Sequence, residues 1–378
     1  MSNENTEKFS LKDELYNPKK VHKIASEIKS VYADFAQEAF EKEVLTKFPE
    51  LELKERMYHI RDMFKKYLPD EYVEACTILL EALPEELDPK KSDDDFGDFI
   101  YAPYSEFVVG YGCCEEHLDF SLQALRAMTK RFSVEFTIRE FINQFPKETL
   151  VMLEKCSLSK NYHERRLSSE GLRPRLPWAK KLTLNYHEAS IYLDNLFYDN
   201  TRYVTRSVAN HLNDIAKIDA SFVIETLKRW KNTGKQEATE MSYITSHALR
   251  TLVKDGNEDA LALLGYVKNP DINVGDMACN TTISVGEALN FEVQIEAKED
   301  VLLMVDYIMH FQTKVGKLSP KVHKLKKLSL KKDEKTILKK KHPFKANMST
   351  RTLYAGEHKV EIQINGTIVT REYFDLKV

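Results

Sequence analysis

The sequence predicts a mostly α fold, a helical solenoid followed by a small C-terminal β-sandwich, and three observations carry that expectation. Apolar residues recur at helical spacing from about residue 21 to about residue 267. Beyond Pro270 the period drops from 3.6 to 2. The 378 residues also exceed the ~100–200 usual for one domain, so two bodies are expected.

Residues 1–20 are expected to be a mobile N-terminus, 21–267 a helical-repeat domain and 271–378 a β domain. Helical stripes are clearest at Ile24, Ile28, Val31 and Phe35, and at Leu53, Met57, Ile60, Phe64 and Leu68. Further helices are expected at roughly 70–83, 98–111, 115–130, 133–145, 147–157, 161–170, 186–199, 201–217, 219–233, 238–254 and 257–265. Short helices joined by brief turns are how solenoids of the HEAT or armadillo sort read, although no clean fixed-period repeat is visible. Pro84 to Asp95 reads as an acidic loop. In the tail, Leu289, Phe291, Val293 and Ile295 alternate with polar residues, and a second strand is expected over 302–311. Val360, Ile362 and Ile364 then lead into Asn365-Gly366 and Thr367-Ile368-Val369-Thr370, a two-residue hairpin signal.

Charge is segregated along the chain. Net charge is −13 over residues 1–120, +8 over 121–254, −9 over 255–310 and +11 over 311–345, with balance thereafter. Two cationic zones in an acidic chain suit a polyanion, because neutralised phosphates release counterions. For the lysines between Lys314 and Lys345, protection of sheet edges is the competing account. No run approaches ~18 apolar residues and no hydrophobic leader opens the chain, which points to a cytoplasmic protein without membrane contact. Cys76, Cys113, Cys114, Cys156 and Cys279 form no C-x-x-C pair and read as reduced thiols. No phosphate loop, dinucleotide fingerprint, H-E-x-x-H or calcium loop occurs, and neither metal nor cofactor is expected.

Three places carry chemistry. On helix 201–217, Arg202, Arg206, Asn210, Asp214 and Lys217 form a polar stripe with Asn213 beside it, opposite Val204, Val208, Leu212 and Ile215. Glu135 and Arg139 stand four apart on an expected helix, where an intrahelical ion pair is the plain account. In residues 164–178, Gly171 can end a helix carrying Arg166 and Glu170, and Pro174 and Pro177 fix an extended loop presenting Arg173, Arg175 and Trp178. Stiff exposed arginines beside an aromatic ring and a carboxylate read as a ligand site.

The run Arg165-Arg166-Leu167-Ser168-Ser169-Glu170-Gly171-Leu172-Arg173-Pro174-Arg175-Leu176-Pro177-Trp178-Ala179 resembles the signature of AlkC-type DNA alkylation repair glycosylases. Stretches 129–139, 206–217 and 247–254 agree with it, over roughly residues 55–267, and the tail is similar to the immunoglobulin-like domain of one branch of that family. The resemblance implies a HEAT-like solenoid that excises N3-methylated bases such as 3-methyladenine and 3-methylcytosine, without a full base-flipping pocket. It implies Glu135, Glu170 and Asp214 as active-site carboxylates and Trp178 as the site's aromatic ring. Arg139, Arg165, Arg166, Arg173, Arg175, Arg206, Asn210, Asn213, Lys217, Arg250 and Lys254 are then expected on the DNA. The Lys314–Lys345 surface is expected to clamp the opposite side of the duplex. Glu140 and Thr205 depart from the pattern, where proline and arginine are expected. The expected partner is double-stranded DNA with alkylated bases, bound by a monomer with no obligate protein partner. The competing readings are a non-catalytic binder of damaged or unusual DNA and a helical scaffold for a protein partner.

Overall fold

Helix gives way to strand between Leu263 and Ile272 in the computed structural model, which describes residues 10–91, 93, 95–346 and 351–377. By packing, the chain forms two units. One holds residues up to Ile215 together with Trp230–Ala248, and the other holds Ala216–Arg229 and Leu249–Val378.

Helical structure starts before the expected residue 21, with Leu11–Leu15 and Pro18–Val31, while residues 1–9 lie outside the described residues. Tyr16 is buried, its carbonyl accepts from Arg56 at 2.9 Å, and its hydroxyl donates to the Phe99 carbonyl at 3.2 Å. Asn17 caps the second helix by accepting from the Lys20 N–H, with Pro18 in the first helical turn. Of the expected stripes, Ile24, Ile28, Phe35, Met57, Ile60, Phe64 and Leu68 are buried, whereas Val31 at a helix end is exposed. Phe40 stacks on Phe64 at 5.8 Å, and Phe64 meets Tyr104 edge-on at 5.1 Å, tying successive helices into one core.

Three expected helices differ. Residues 186–199 form only the turn Tyr186–Ser190 and a 3-10 stretch, Ile191–Asn195, and 238–254 breaks at Leu249 into Ala238–Ala248 and Arg250–Lys254. The third difference bears on function. Residues 133–145 are helical only over Ile138–Gln144, because Phe132 pairs as a β-bridge with Gly97 and Ser133 N–H donates to the Phe96 carbonyl. Gly97 has φ +71°, and a Cβ there would stand 2.2 Å from the Arg131 carbonyl, so no other residue permits this approach. Glu135 therefore sits in a turn, not on one helix face with Arg139. Of the acidic loop 84–95, Ser92 and Asp94 lie outside the described residues.

The C-terminal strands are β1 (Ile272–Val274), β2 (Ala278–Cys279), β3 (Thr282–Ser284), β4 (Ala288–Ala297), β5 (Val301–Gln312), β6 (Leu318–Leu330), β7 (Lys335–Pro343), β8 (Gly356–Ile364) and β9 (Thr367–Lys377). They form an immunoglobulin-like pair of sheets: β1 and β2 on one side of β4 with β7 on the other, and β3-β9-β8-β5-β6. On β4 the apolar alternation points Leu289, Phe291, Val293 and Ile295 into the core. The hairpin forms where expected, with Asn365 at φ 45° and Gly366 at φ 83°. Asn365 is also buried and bonds to Met304 N–H, the Leu302 carbonyl and the Val267 carbonyl. The lysine-bearing strands β6 and β7 are outermost in their sheets, where lysine blocks edge-to-edge pairing. The short helices Arg250–Lys254 and Glu258–Leu263 belong to this unit, because Gly256 packs on Gly366 too closely for any Cβ.

Inside the sandwich, His342 Nδ1 meets the Tyr307 hydroxyl at 2.9 Å, and His323 and His358 each leave Nε2 without a partner. Burial lowers all three pKa values, His342 to about 4. The unfolded chain then binds more protons below pH ~6.5, so stability present at neutral pH is lost as pH falls toward 4. His342 alone should cost this unit roughly 2 kcal/mol at pH 5 relative to pH 7. Amide exchange of β5 and β7, corrected for intrinsic rate, should show that loss; equal protection at both pH values would contradict it.

Candidate active site

The first unit gathers three carboxylates from distant parts of the chain. Glu135 comes from the turn after the Gly97 bridge, Glu170 ends the helix Tyr162–Glu170, and Asp214 lies in the last turn of Arg202–Ile215. All three are buried, and two arginines interleave them. Arg166 reaches both Glu135 carboxylate oxygens at 3.4 Å and Glu170 at 3.8 Å. Arg173 donates to Glu170 at 2.7 Å and to Asp214 at 2.9 Å. The result is an alternating row, Glu135, Arg166, Glu170, Arg173, Asp214, with one negative charge in excess.

Burial alone would raise the Glu170 pKa, but Arg166, Arg173 and a 2.6 Å hydrogen bond from the Ser207 hydroxyl hold it below the usual carboxylate range. Because the folded value is the lower one, this contribution is full at neutral pH and fades as pH falls through it. Arg166 pays its own burial penalty and is still held above its ordinary pKa by Glu135 and Glu170. Its guanidinium lies 4.5 Å from the Tyr203 ring centre and 5.3 Å from that of Phe96, and it bonds the Ser133 hydroxyl at 2.6 Å. His211 is buried beside the row, meets the Ser169 carbonyl through Nδ1 at 3.0 Å, and is lowered by burial to about 4. Ser133, Tyr203, Ser207 and His211 were not distinguished by sequence, since their types and spacing are ordinary in any helical core.

Several arginines expected on phosphate point inward. Arg139 is 1% exposed and bonds the carbonyls of Lys180, Gly171 and Arg173 at 2.6–2.9 Å, clasping both ends of the loop. Burial lowers its pKa to about 10, helped by Arg173. Arg165 pairs with Asp199 and donates to the carbonyls of Ser159 and Lys160, so it ties local backbone. Arg166 and Arg173 are the cations of the row. The buried carbonyls and carboxylates are stronger competitors for these four guanidinium groups than water, and they turn the side chains inward.

The remaining expected residues are placed differently. Arg175 is exposed on the clasped loop, and Trp178 is 73% exposed at φ +65°, its carbonyl accepting from Lys54 at 2.7 Å. Arg206 pairs with Asp93 of the acidic loop, Asn210 meets His247 Nε2 at 2.9 Å, and Asn213 is buried. Lys217 lies past the end of its helix; it and Lys254 are exposed and Arg250 is half-buried, all three in the second unit. At the departures, Glu140 pairs with Lys180, and Thr205 donates to Glu240. A cavity of about 440 Å³ opens beside the row, with Glu135, Phe96 and Trp178 on its wall. No cluster of three metal-ligating side chains occurs among the described residues, nor does any helix there have the length and apolarity to cross a membrane.

Comparison with known proteins follows this geometry. A family model described as "Uncharacterised protein YhaZ, C-terminal Ig-like domain" matches residues 273–378. The chain is 32% identical to "Uncharacterized protein YhaZ" of Bacillus subtilis over 94% of its own length and 96% of that protein's. It is also similar to the solved structure of Pseudomonas fluorescens alkylpurine DNA glycosylase AlkC bound to DNA containing an abasic site analog. That similarity has 30% identity and a TM-score of 0.88, covering 98% of this chain and all of the other.

Removing Arg166 leaves buried Glu135 without its cation and Glu170 with one of its two. Arg166→Ala should lower stability by about 3–5 kcal/mol, read as the urea midpoint of the helical unit. An unchanged midpoint would show that the pairs carry no net energy.

Proposed function

The chain belongs to the AlkC-type family of DNA alkylation repair glycosylases, in the branch with a C-terminal immunoglobulin-like domain, and from that premise we propose that it hydrolyses the N-glycosidic bond of cationic N3-alkylated bases in double-stranded DNA. Its substrates are 3-methyladenine and 3-methylcytosine, and it works as a cytoplasmic monomer within base excision repair. The observation that carries the proposal is the row of three buried carboxylates held by two arginines.

The chemistry follows from charge. An N3-methylated base is already cationic, so it leaves as a neutral molecule and needs no general acid. The burden falls on the sugar, whose transition state is oxocarbenium-like and gains positive charge. A carboxylate ~4 Å away contributes ~4 kcal/mol of Coulomb energy at an effective dielectric of ~20, before desolvation is counted. Arg166 and Arg173 favour the charged form of Glu170, and the row's excess of carboxylates over arginines meets the developing cation. In this mechanism Asp214 and Glu170 flank the lesion sugar, Glu135 supports them or orients the attacking water, and Trp178 packs on the sugar or base. Arg175, Arg206, Asn210, Asn213, Lys217, Arg250 and Lys254 provide backbone contacts, with the lysines of β6 and β7 as a further cationic surface. The bound DNA of the AlkC relative supports the partner, and neutral lesions should be poor substrates.

The test is base release from duplexes carrying one 3-methylcytosine, with 7-methylguanine as a cationic control, read as strand breaks after alkali. Asp214→Asn and Glu170→Ala should bind the duplex yet lose at least about 100-fold in single-turnover rate. Wild type that binds without releasing any base would leave a non-catalytic DNA binder instead. Wild-type binding should also weaken steeply with salt, with a log–log slope that counts the phosphates contacted.

A further inference from the structure

Most charged side chains turned into the first unit have partners, but Glu106 has none among the described residues. Its half-buried carboxyl lies on the wall of the 440 Å³ cavity and makes neither a hydrogen bond nor an ion pair among the described residues. Burial pushes it up to about 7, against the attraction of Arg61, Lys54 and Lys180 and with Glu140 adding to the rise. A half-buried carboxyl with no protein partner on a cavity wall is an acceptor open to a ligand.

The rest of the wall says what that is. Tyr58, Phe96, Phe99 and Trp178, each at least a third exposed, gather on this one cavity. Rings that a monomer would otherwise bury are the surface on which a flat heterocycle stacks. The volume lies in the range of ~300–1,000 Å³ typical of small-molecule sites. Glu135 stands both on this wall and in the charged row, so the cavity adjoins the proposed point of bond cleavage.

We propose that this cavity receives the excised base, a flat, N-alkylated, amino-bearing heterocycle that lies against the aromatic wall and donates its exocyclic N–H to Glu106. The assignment rests on the glycosylase reading and deepens it. The base stays stacked until the bond breaks, then passes Glu135 into the cavity. Adenine and cytosine derivatives both carry the amino edge that a carboxyl accepts. A base held there is kept from the sugar carbon it has left, so release of the base slows turnover.

The experiment titrates free 3-methyladenine into the full-length protein, followed by calorimetry and tryptophan fluorescence, with base release from DNA assayed in parallel. Of the two tryptophans, Trp178 is on the cavity rim and Trp230 is buried against Phe197, so a bound base should quench the exposed one. Saturable binding is expected, weakened about tenfold by Glu106→Gln and abolished by Ala102→Phe, which fills the cavity; thermal melts check that both fold. Added base should also inhibit wild-type release from DNA. A wild type that releases bases from DNA but neither binds nor is inhibited by free base overturns the cavity assignment, whatever the variants do. Binding with the expected variant pattern but no release from DNA keeps the cavity and overturns the glycosylase reading.

Discussion

Glu170 sits between two arginines, and much of the first unit is arranged around that contact. One turn of helix supplies Arg166 and Glu170, and the following residues bring Arg173 back onto the same carboxylate. Each group alone would be unfavourable in this setting, since burying an ion costs several kcal/mol. Together they compensate, but only when all five members are in register. The Gly97 bridge, which sets Glu135, and the Arg139 clasp, which sets the backbone of Arg173, are conditions for that register. Ser207 and Ser133 add neutral hydrogen bonds to Glu170 and Arg166 without adding charge.

Much of this organisation was legible in the sequence. The stripes through Ile24 and Phe64, the period-two run of β4 and the Asn365-Gly366 turn each follow from a local rule, and the structure obeys it. The run from Arg165 to Trp178 read as a ligand site, and in the structure Glu170 and Asp214 converge on its Arg173. What spacing could not give was direction. A helical pattern through 133–145 says nothing of a bridge to Gly97, and the resemblance that put Arg139, Arg165, Arg166 and Arg173 on DNA says nothing of the carbonyls and carboxylates they bond. The deciding information was non-local: Glu135 is 31 residues from Arg166, and Arg173 is 41 from Asp214.

Positive charge is used in two physically distinct ways. Inside the first unit it is arginine, whose planar fork satisfies two carboxylates at once and tolerates loss of water. On the sandwich it is lysine, a hydrated point charge on flexible stems along the free edges of β6 and β7. Lys339 and Lys335 reach across to Glu292 and Glu296 on β4, so part of this charge is internally balanced. Edge protection and attraction of a polyanion call for the same placement of lysine.

The contact between Gly256 and Gly366 redraws the boundary of the sandwich as a portable piece. The match to the family's C-terminal domain begins at residue 273, yet the hairpin tip at 365–366 is closed by Gly256 and the Val267 carbonyl, both upstream of it. A sandwich cut out at its first strand would leave the Asn365 amide with one acceptor fewer, and the tip would face water. The packed unit is thus wider than its strands: it takes in Ala216–Arg229 and everything from Leu249, well upstream of the visible change from helix to strand.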